Sequence, residues 1–355
     1  MSKHAHFSQD SKDPKDELDG KREHDDTNTR REESLVPFLR HVKASEVPSP
    51  PAVVEVSATM KPVDAAQVLW DNHIMGAPVW DQDKQKYVGI FDMRDLLSTV
   101  ILYEQVKQDA NEPDLNVSWF PEHLHTSYLA ARNHLCADYH HDSSLYDLLR
   151  ALTHKETRMV CLMNTETQRV ARILTRTYMV RYLAQQVAWP KVPLSDTTLL
   201  YRKTVVQAPD TTSARDVFRL MDQHRMSGIA IVDQETGKLV GNTSATDIKA
   251  ALHRRRHRHQ ADQESSGQEE QQDDNDVNLD MDILSYLAQV RQHSLLDRYP
   301  SAHVYESASL DHAVHMLAKT GFHRVFVVDK DVRPIGVISV ADIIQYVVNR
   351  FEQEK

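Results

Sequence analysis

Cysteine and glycine are scarce in this chain: two cysteines, Cys136 and Cys161, and nine glycines stand among 355 residues. Two thiols cannot build a disulfide framework or a cysteine-rich zinc site, so a reducing cytosolic or nuclear setting is expected. The few glycines form neither a Gly-x-x-x-x-Gly-Lys-Ser/Thr phosphate loop nor a dinucleotide fingerprint. Long apolar runs are lacking as well. No stretch of about 18 apolar residues occurs, so no membrane-spanning helix is expected. The opening MSKHAHFSQDSKD holds no apolar segment, so no secretory signal is expected there. A basic excess is also missing. Lys and Arg number 42 against 52 Asp and Glu, for a net charge of −10. That balance argues against a nucleic-acid platform, which needs a basic face to neutralise phosphates. No nucleophile with an obvious base partner stands out, and a non-enzymatic role is expected.

What remains is ordinary for a folded chain: 40% hydrophobic and 26% charged residues, enough for roughly two or three domains with cores. Two segments depart from this composition. Residues 1–33 mix acids and bases with almost no large apolar side chain, and such a stretch cannot offset chain entropy by burial. It is expected to be a disordered tail. Residues 253–259 read HRRRHRH, and every charged residue from Ala261 to Asp282 is acidic. Residues 254–280 are therefore expected to be a disordered acidic insert.

Between these segments one spacing recurs. Asp233, closing GIAIVD, is followed by Gly241 eight residues on and Asp247 fourteen on. Asp81 leads to Gly89 and Asp95 with the same offsets, and Asn164 to Arg172 and Tyr178. From Asp329 the offsets shorten by one, to Gly336 and Asp342. An amphipathic helical stretch precedes each anchor. In the second unit Leu145, Leu148, Leu149 and Leu152 fall on one face. A second apolar run and a second helix follow each anchor. Each unit thus reads strand, helix, strand, strand, helix, with nearly all-apolar strands of the kind helices cover. One such unit leaves a face open, so four suggest two pairs. The expected boundaries are 35–105, 122–188, 195–253 and, with a preceding helix, 281–352.

The order of elements, with GNTSATD (241–247) and GVISVAD (336–342) opening the last helix of a unit, is similar to the CBS domain. GAPVWDQDKQKYVGIFDMRD (76–95), HRMSGIAIVD (224–233) and FHRVFVVDKDVRPIGVISVADII (322–344) resemble the gamma subunit family of AMP-activated protein kinase. The resemblance covers roughly 35–252 and 279–352 and is weakest in the second unit. It implies an α/β (α+β) fold of four tandem CBS repeats (β-α-β-β-α), paired into two Bateman-type modules that form a disc. AMP, ADP or ATP would bind in clefts near the centre as regulatory ligands, with no covalent cofactor. Kinase catalytic (alpha) and scaffold (beta) subunits would be the partners, and neither nucleic acid nor membrane is expected.

Carried over residue by residue, the resemblance places Asp95, Asp247 and Asp342 at the ribose position. A carboxylate there can accept both cis hydroxyls of the sugar. Tyr178 holds that position in the second unit and cannot do so, which implies an empty or altered cleft. Ser244, Ser339 and Thr175 take the hydroxyl position three residues earlier, where a helix N-terminus suits phosphate. Asp92 takes it in the first unit, where its charge would repel phosphate. His323 and Arg324, with Lys155, Arg158 and Arg176, are the implied phosphate-binding side chains. Met75 and Thr157 stand where the family carries basic or histidine residues.

Plainer readings stand beside these. Each aspartate could serve only its helix end, and the cations could be solvated. Lys203, beside Arg202, is as well read as solvated. His123, His125, His134, His140 and His141 read as a surface loop rather than a metal site, and Trp119 and Phe120 as core. Other roles stay open too: a four-repeat CBS protein acting as a free-standing sensor, a phosphatase regulator, or a scaffold whose clefts have decayed. Calorimetry with AMP separates a sensor from a scaffold.

Overall fold

The computed structural model describes residues 35–48, 52–110, 124–130, 136–200, 204–248, 278–291 and 302–354. Neither the expected tail nor the part of the acidic insert before Asn278 falls among them. Residues 202, 203, 119, 120, 123 and 134 are likewise outside them.

Helix α1 (Leu35–His41) leads into the first unit: β1 (Val56–Ser57), α2 (Pro62–Asp71), β2 (Gly76–Asp81), β3 (Lys86–Asp92) and α3 (Met93–Ala110). After α4 (Thr126–Ala130) the second unit comprises β4 (Cys136–Tyr139), α5 (Leu145–Thr153), β5 (Met159–Met163), β6 (Val170–Thr175) and α6 (Arg176–Gln186). The third contains β7 (Gln207–Pro209), α7 (Ala214–Gln223), β8 (Gly228–Val232), β9 (Leu239–Ser244) and a turn over 245–248. The helix expected to continue from that turn lies outside the described residues. Helix α8 (Ile283–Val290) precedes the fourth unit of β10 (His303–Tyr305), α9 (Leu310–Thr320), β11 (Arg324–Val328), β12 (Pro334–Ser339) and α10 (Val340–Glu354).

Each unit forms one three-stranded sheet in chain order, its first pair parallel and its second antiparallel. Local chemistry explains why. The first helix opens at a serine in three units: Ser144, Ser213 and Ser309 each accept the N–H three residues on at 3.1 Å. In the remaining unit Pro62 fills the first turn of α2, where its missing donor costs nothing. The anchor residues prove to be hairpin-turn acceptors. Oδ1 of Asp81 accepts from the N–H of Asp83 and Lys84, and Oδ1 of Asn164 from Glu166 and Thr167. Asp233 accepts from Thr236, and Asp329 from Asp331 and Arg333. The residue that closes the turn sits at positive φ: Gln85, Gln168 and Gly237, but Val332 in the fourth unit. That loop is one residue shorter, which accounts for the shortened offset from Asp329.

The cores cross the order of the chain. The four leucines of α5 are fully buried in a cluster with Val314, Leu317, Ile343 and Val347, so the second and fourth units share one core through their helices. The first and third share another, with Leu69, Leu97 and Phe91 against Phe218 and Ile229, joined by Tyr286 of α8. Sheets pair differently. Ile90 of the first unit packs on Met159 and Cys161 of the second, and Ala230 of the third on Phe326 and Val328 of the fourth. Strand β8 is therefore buried along its whole length, and its composition is apolar throughout.

The packed chain resumes before the expected boundary at 281. Leu279 is buried, its carbonyl accepts the N–H of Arg215, and Asp280 pairs with Arg215 Nε at 2.8 Å. Residues 278–280 thus belong to the folded body. They are held by a short apolar contact that the acidic composition of the insert conceals.

Candidate functional site

A cavity of about 560 Å³ opens where residues of all four units meet. The first contributes His73 and Arg94, the second Lys155, Arg158, Arg176 and Arg181, the third Ser227, and the fourth His323, Arg324 and Ser339. Among the described lining residues six are Lys or Arg, and Asp92 is the single carboxylate. Ile74, Met75, Met93, Met159 and Ile173 add an apolar wall from the first two units.

The fold supplies these side chains from equivalent places. Strands β5 and β11 are entered through Arg158 and through His323–Arg324, and helices α3 and α6 carry Arg94 and Arg176 in their first turns. Most of the cations are held by backbone acceptors rather than by acids. Arg176 donates from Nε to the Leu152 carbonyl at 2.9 Å and from Nη2 to that of His154 at 2.7 Å. Arg324 donates to the Gly228 carbonyl and the Ser227 hydroxyl of the third unit. Such bonds to neutral acceptors fix the guanidinium planes without themselves neutralising the charge. Burial, together with Arg94, holds the guanidinium of Arg176 below its ordinary range, although Asp342 opposes this. Burial pushes Arg324 down to about 10, with Arg94 adding repulsion and Asp342 opposing. His323, whose ring faces the cavity beside the Thr177 hydroxyl at 2.8 Å, is pushed down to about 4 by desolvation and by Arg324. The cavity wall thus gathers mutually repelling cations around a single carboxylate among its described residues.

Of the residues named from the sequence, Lys155, Arg158, Thr175, Arg176, His323, Arg324 and Ser339 meet in the cavity wall, whereas Asp95, Asp247, Asp342 and Ser244 are not in it. The three aspartates share a different task. Oδ2 of Asp95, Asp247 and Asp342 accepts the backbone N–H of Asp92, Ser244 and Ser339 at 3.0, 2.7 and 2.9 Å. The Ser339 hydroxyl in turn accepts the N–H of Asp342 at 3.3 Å, so this motif closes as a reciprocal capping box. Asp247 is occupied further: Arg291 donates to both of its carboxylate oxygens. Asp342 stands behind the wall, close enough for its charge to act on Arg176 and Arg324.

One expectation needs correction. Asp92 does not stand as a bare negative charge, because Arg158 forms an ion pair with its Oδ2. In the second unit, where an empty or altered cleft is expected, Tyr178 lines the cavity and donates its hydroxyl to the Pro48 carbonyl, and Arg172 donates to the carbonyls of Ala44 and Val47. Arg94, Arg181, His73 and Arg291 were missed. Arg94 could have been found as a cation in the first turn of a unit's last helix, one position on from the place of Arg176. Arg291 carries no such signal. Among the described residues, no group of three or more His, Cys, Asp or Glu is arranged to hold a metal ion.

The CBS domain family profile matches residues 44–101, 199–254 and 296–349, which fall in the first, third and fourth units. The sheet of the second unit has the same strand order. The three matched units are CBS domains. Across most of its length the chain is similar to subunits named 5'-AMP-activated protein kinase subunit gamma. The protein from Saccharomyces cerevisiae is 21% identical over 334 residues, 89% of this chain and 92% of that one. The protein from Dictyostelium discoideum is 21% identical over 330 residues, 89% of this chain and 53% of its own length, so the chain spans about half of that relative. Among solved structures, a Methanocaldococcus jannaschii protein described as an archaeal homolog of g-AMPK has the same fold. Its TM-score is 0.60 at 15% identity, covering 86% of this chain and 99% of that one.

Proposed function

We propose that the cavity binds the phosphates of an adenine nucleotide, and that the chain is a nucleotide-responsive regulatory subunit of an AMP-activated-type protein kinase complex. The observation that carries this reading is the charge of the cavity: among its described lining residues six Lys or Arg side chains stand against one carboxylate, in a chain whose net charge is −10. A volume of about 560 Å³ falls within the range of roughly 300–1,000 Å³ usual for small-molecule sites. The apolar wall suits a base, and the guanidinium forks suit phosphate oxygens. The likeness to gamma subunits supports the kinase partner. AMP, ADP and ATP would compete for the cavity, and unequal affinity for two states of the complex would set kinase activity.

Calorimetric titration of the purified chain with AMP, ADP, ATP and adenosine tests this reading. Heats from the three nucleotides with none from adenosine are expected, and co-purification from native cells should recover a kinase. Absence of heat with every nucleotide at millimolar concentration would refute it.

One observation favours a second reading. Asp247 is held by Arg291, and none of the three aspartates lies in the cavity wall. A chain whose sugar-gripping carboxylates serve only its own folding would be an interaction scaffold, and Asp342→Ala would then leave AMP heats at the level of wild type.

A further inference from the structure

Asp92 differs from its counterparts in a way the fold does not require. Thr175 and Ser339 occupy the same place in their units, and each caps its following helix with a single hydroxyl oxygen. Asp92 does the same with one oxygen only: Oδ1 accepts the N–H of Arg94 at 2.8 Å and of Asp95 at 3.3 Å. Its second oxygen, Oδ2, makes the ion pair with Arg158 of the second unit. The Asp92 side chain is 5% exposed, and it is the single acid among the described residues of the cationic wall. Arg158 keeps its other terminal nitrogen, Nη2, buried and without a hydrogen-bond partner among the described residues.

We propose that Asp92 is a built-in anion that competes with the ligand for Arg158, so that a phosphate must displace it to engage this guanidinium. The inference rests on the reading of the cavity as an anion site and goes beyond it by naming the residue that weakens binding. A ligand phosphate and a carboxylate cannot both take the same guanidinium edge. The protein therefore trades affinity for a link between its first and second units that an anion must open. Burial raises the pKa of Asp92 and Arg94 opposes the rise, in keeping with a carboxylate held where it is poorly solvated.

The test is a double-mutant cycle with AMP as the probe and adenosine as the uncharged control. Asp92→Asn keeps the helix-capping oxygen, and Asp92→Ser restores the hydroxyl of the other units. Melting curves confirm that both fold. Both should bind AMP about tenfold more tightly than wild type, the scale of one screened charge contact, with adenosine unchanged. The gain should vanish in an Arg158→Met background. A smaller gain that depends on Arg158 would also support the proposal. Unchanged or weaker AMP affinity in Asp92→Asn, beside measurable binding to wild type, would overturn this inference and leave the nucleotide reading standing. Absence of AMP binding in all forms would overturn both.

Discussion

Arg291 grips both oxygens of Asp247, with Nε 3.1 Å from Oδ1 and Nη2 2.8 Å from Oδ2, while its Nη2 also donates to the Asn242 carbonyl at 3.0 Å. Both side chains are almost wholly buried, at 14% and 8% exposure. The arginine follows helix α8 and the aspartate ends the third unit, so the pair ties the approach of the fourth unit to the third. Removing one partner would strand the other charge. Arg291→Met should therefore lower unfolding stability by about 3–5 kcal/mol. The double variant Arg291→Met/Asp247→Asn should lose less than the sum of the two singles. Urea denaturation of the four proteins measures both quantities.

The N-terminal segment over the second unit is held from beneath. Tyr178 and Arg172 donate to four of its backbone carbonyls, those of Ala44, Ser45, Val47 and Pro48. Tyr178→Phe should cost about 1 kcal/mol, the net worth of one hydrogen bond. Arg172→Met should cost more and speed amide exchange at Ala44 and Ser45, whose N–H groups bond to the 141–143 turn. Exchange rates unaltered by Arg172→Met would show that the arginine does not hold the segment.

Gly228 opens β8 where no side chain fits. A Cβ there would lie 2.5 Å from the Thr243 carbonyl oxygen, and the guanidinium of Arg324 rests 3.5 Å away. Since the clash is with backbone, Gly228→Ala should destabilise the fold by about 1–3 kcal/mol and shift Arg324, weakening nucleotide binding along with stability. Thermal melting and AMP titration on the same preparation check both effects.

His323 gives the pH dependence a definite sign. Its imidazole is pushed down to about 4 in the fold by desolvation and by Arg324, whereas an unfolded histidine titrates near about 6.5. Between those values the unfolded chain takes up a proton that the folded one refuses, so this residue lowers stability as pH falls from about 6.5 to about 4 and has no further effect below. The stability difference between wild type and His323→Gln should narrow or reverse over that window. An anion in the cavity favours the protonated ring, so AMP binding at pH 5 should take up protons, seen as a dependence of the calorimetric heat on the buffer.

Much of the architecture was legible because the signals were local. The anchors Asp81, Asn164, Asp233 and Asp329 recur because each caps its own hairpin turn, and a bond within a few residues leaves a fixed spacing. The buried face of α5 was plain from Leu145, Leu148, Leu149 and Leu152 for the same reason. The partners of these faces were not legible, since nothing local says that α5 meets α10 rather than a helix of the first unit. The site divided along the same line. His323, Arg324 and Arg158 stand at strand entrances and were readable by position. The ion pair of Arg158 with Asp92 spans 66 residues and that of Arg291 with Asp247 spans 44, so neither has a spacing signature. The aspartates admit two readings for a physical reason: Ser-x-x-Asp can serve as a sugar-and-phosphate motif or as a capping box, and the same atoms serve either.

The most direct test of the cationic cavity is a crystal structure of the chain grown with saturating AMP. The account predicts a phosphate within hydrogen-bond distance of His323 and of at least one of Arg94, Arg176 and Arg324, with the base toward Met75 and Met159. An empty cavity at saturating AMP, or a nucleotide bound elsewhere with those side chains unmoved, would contradict it.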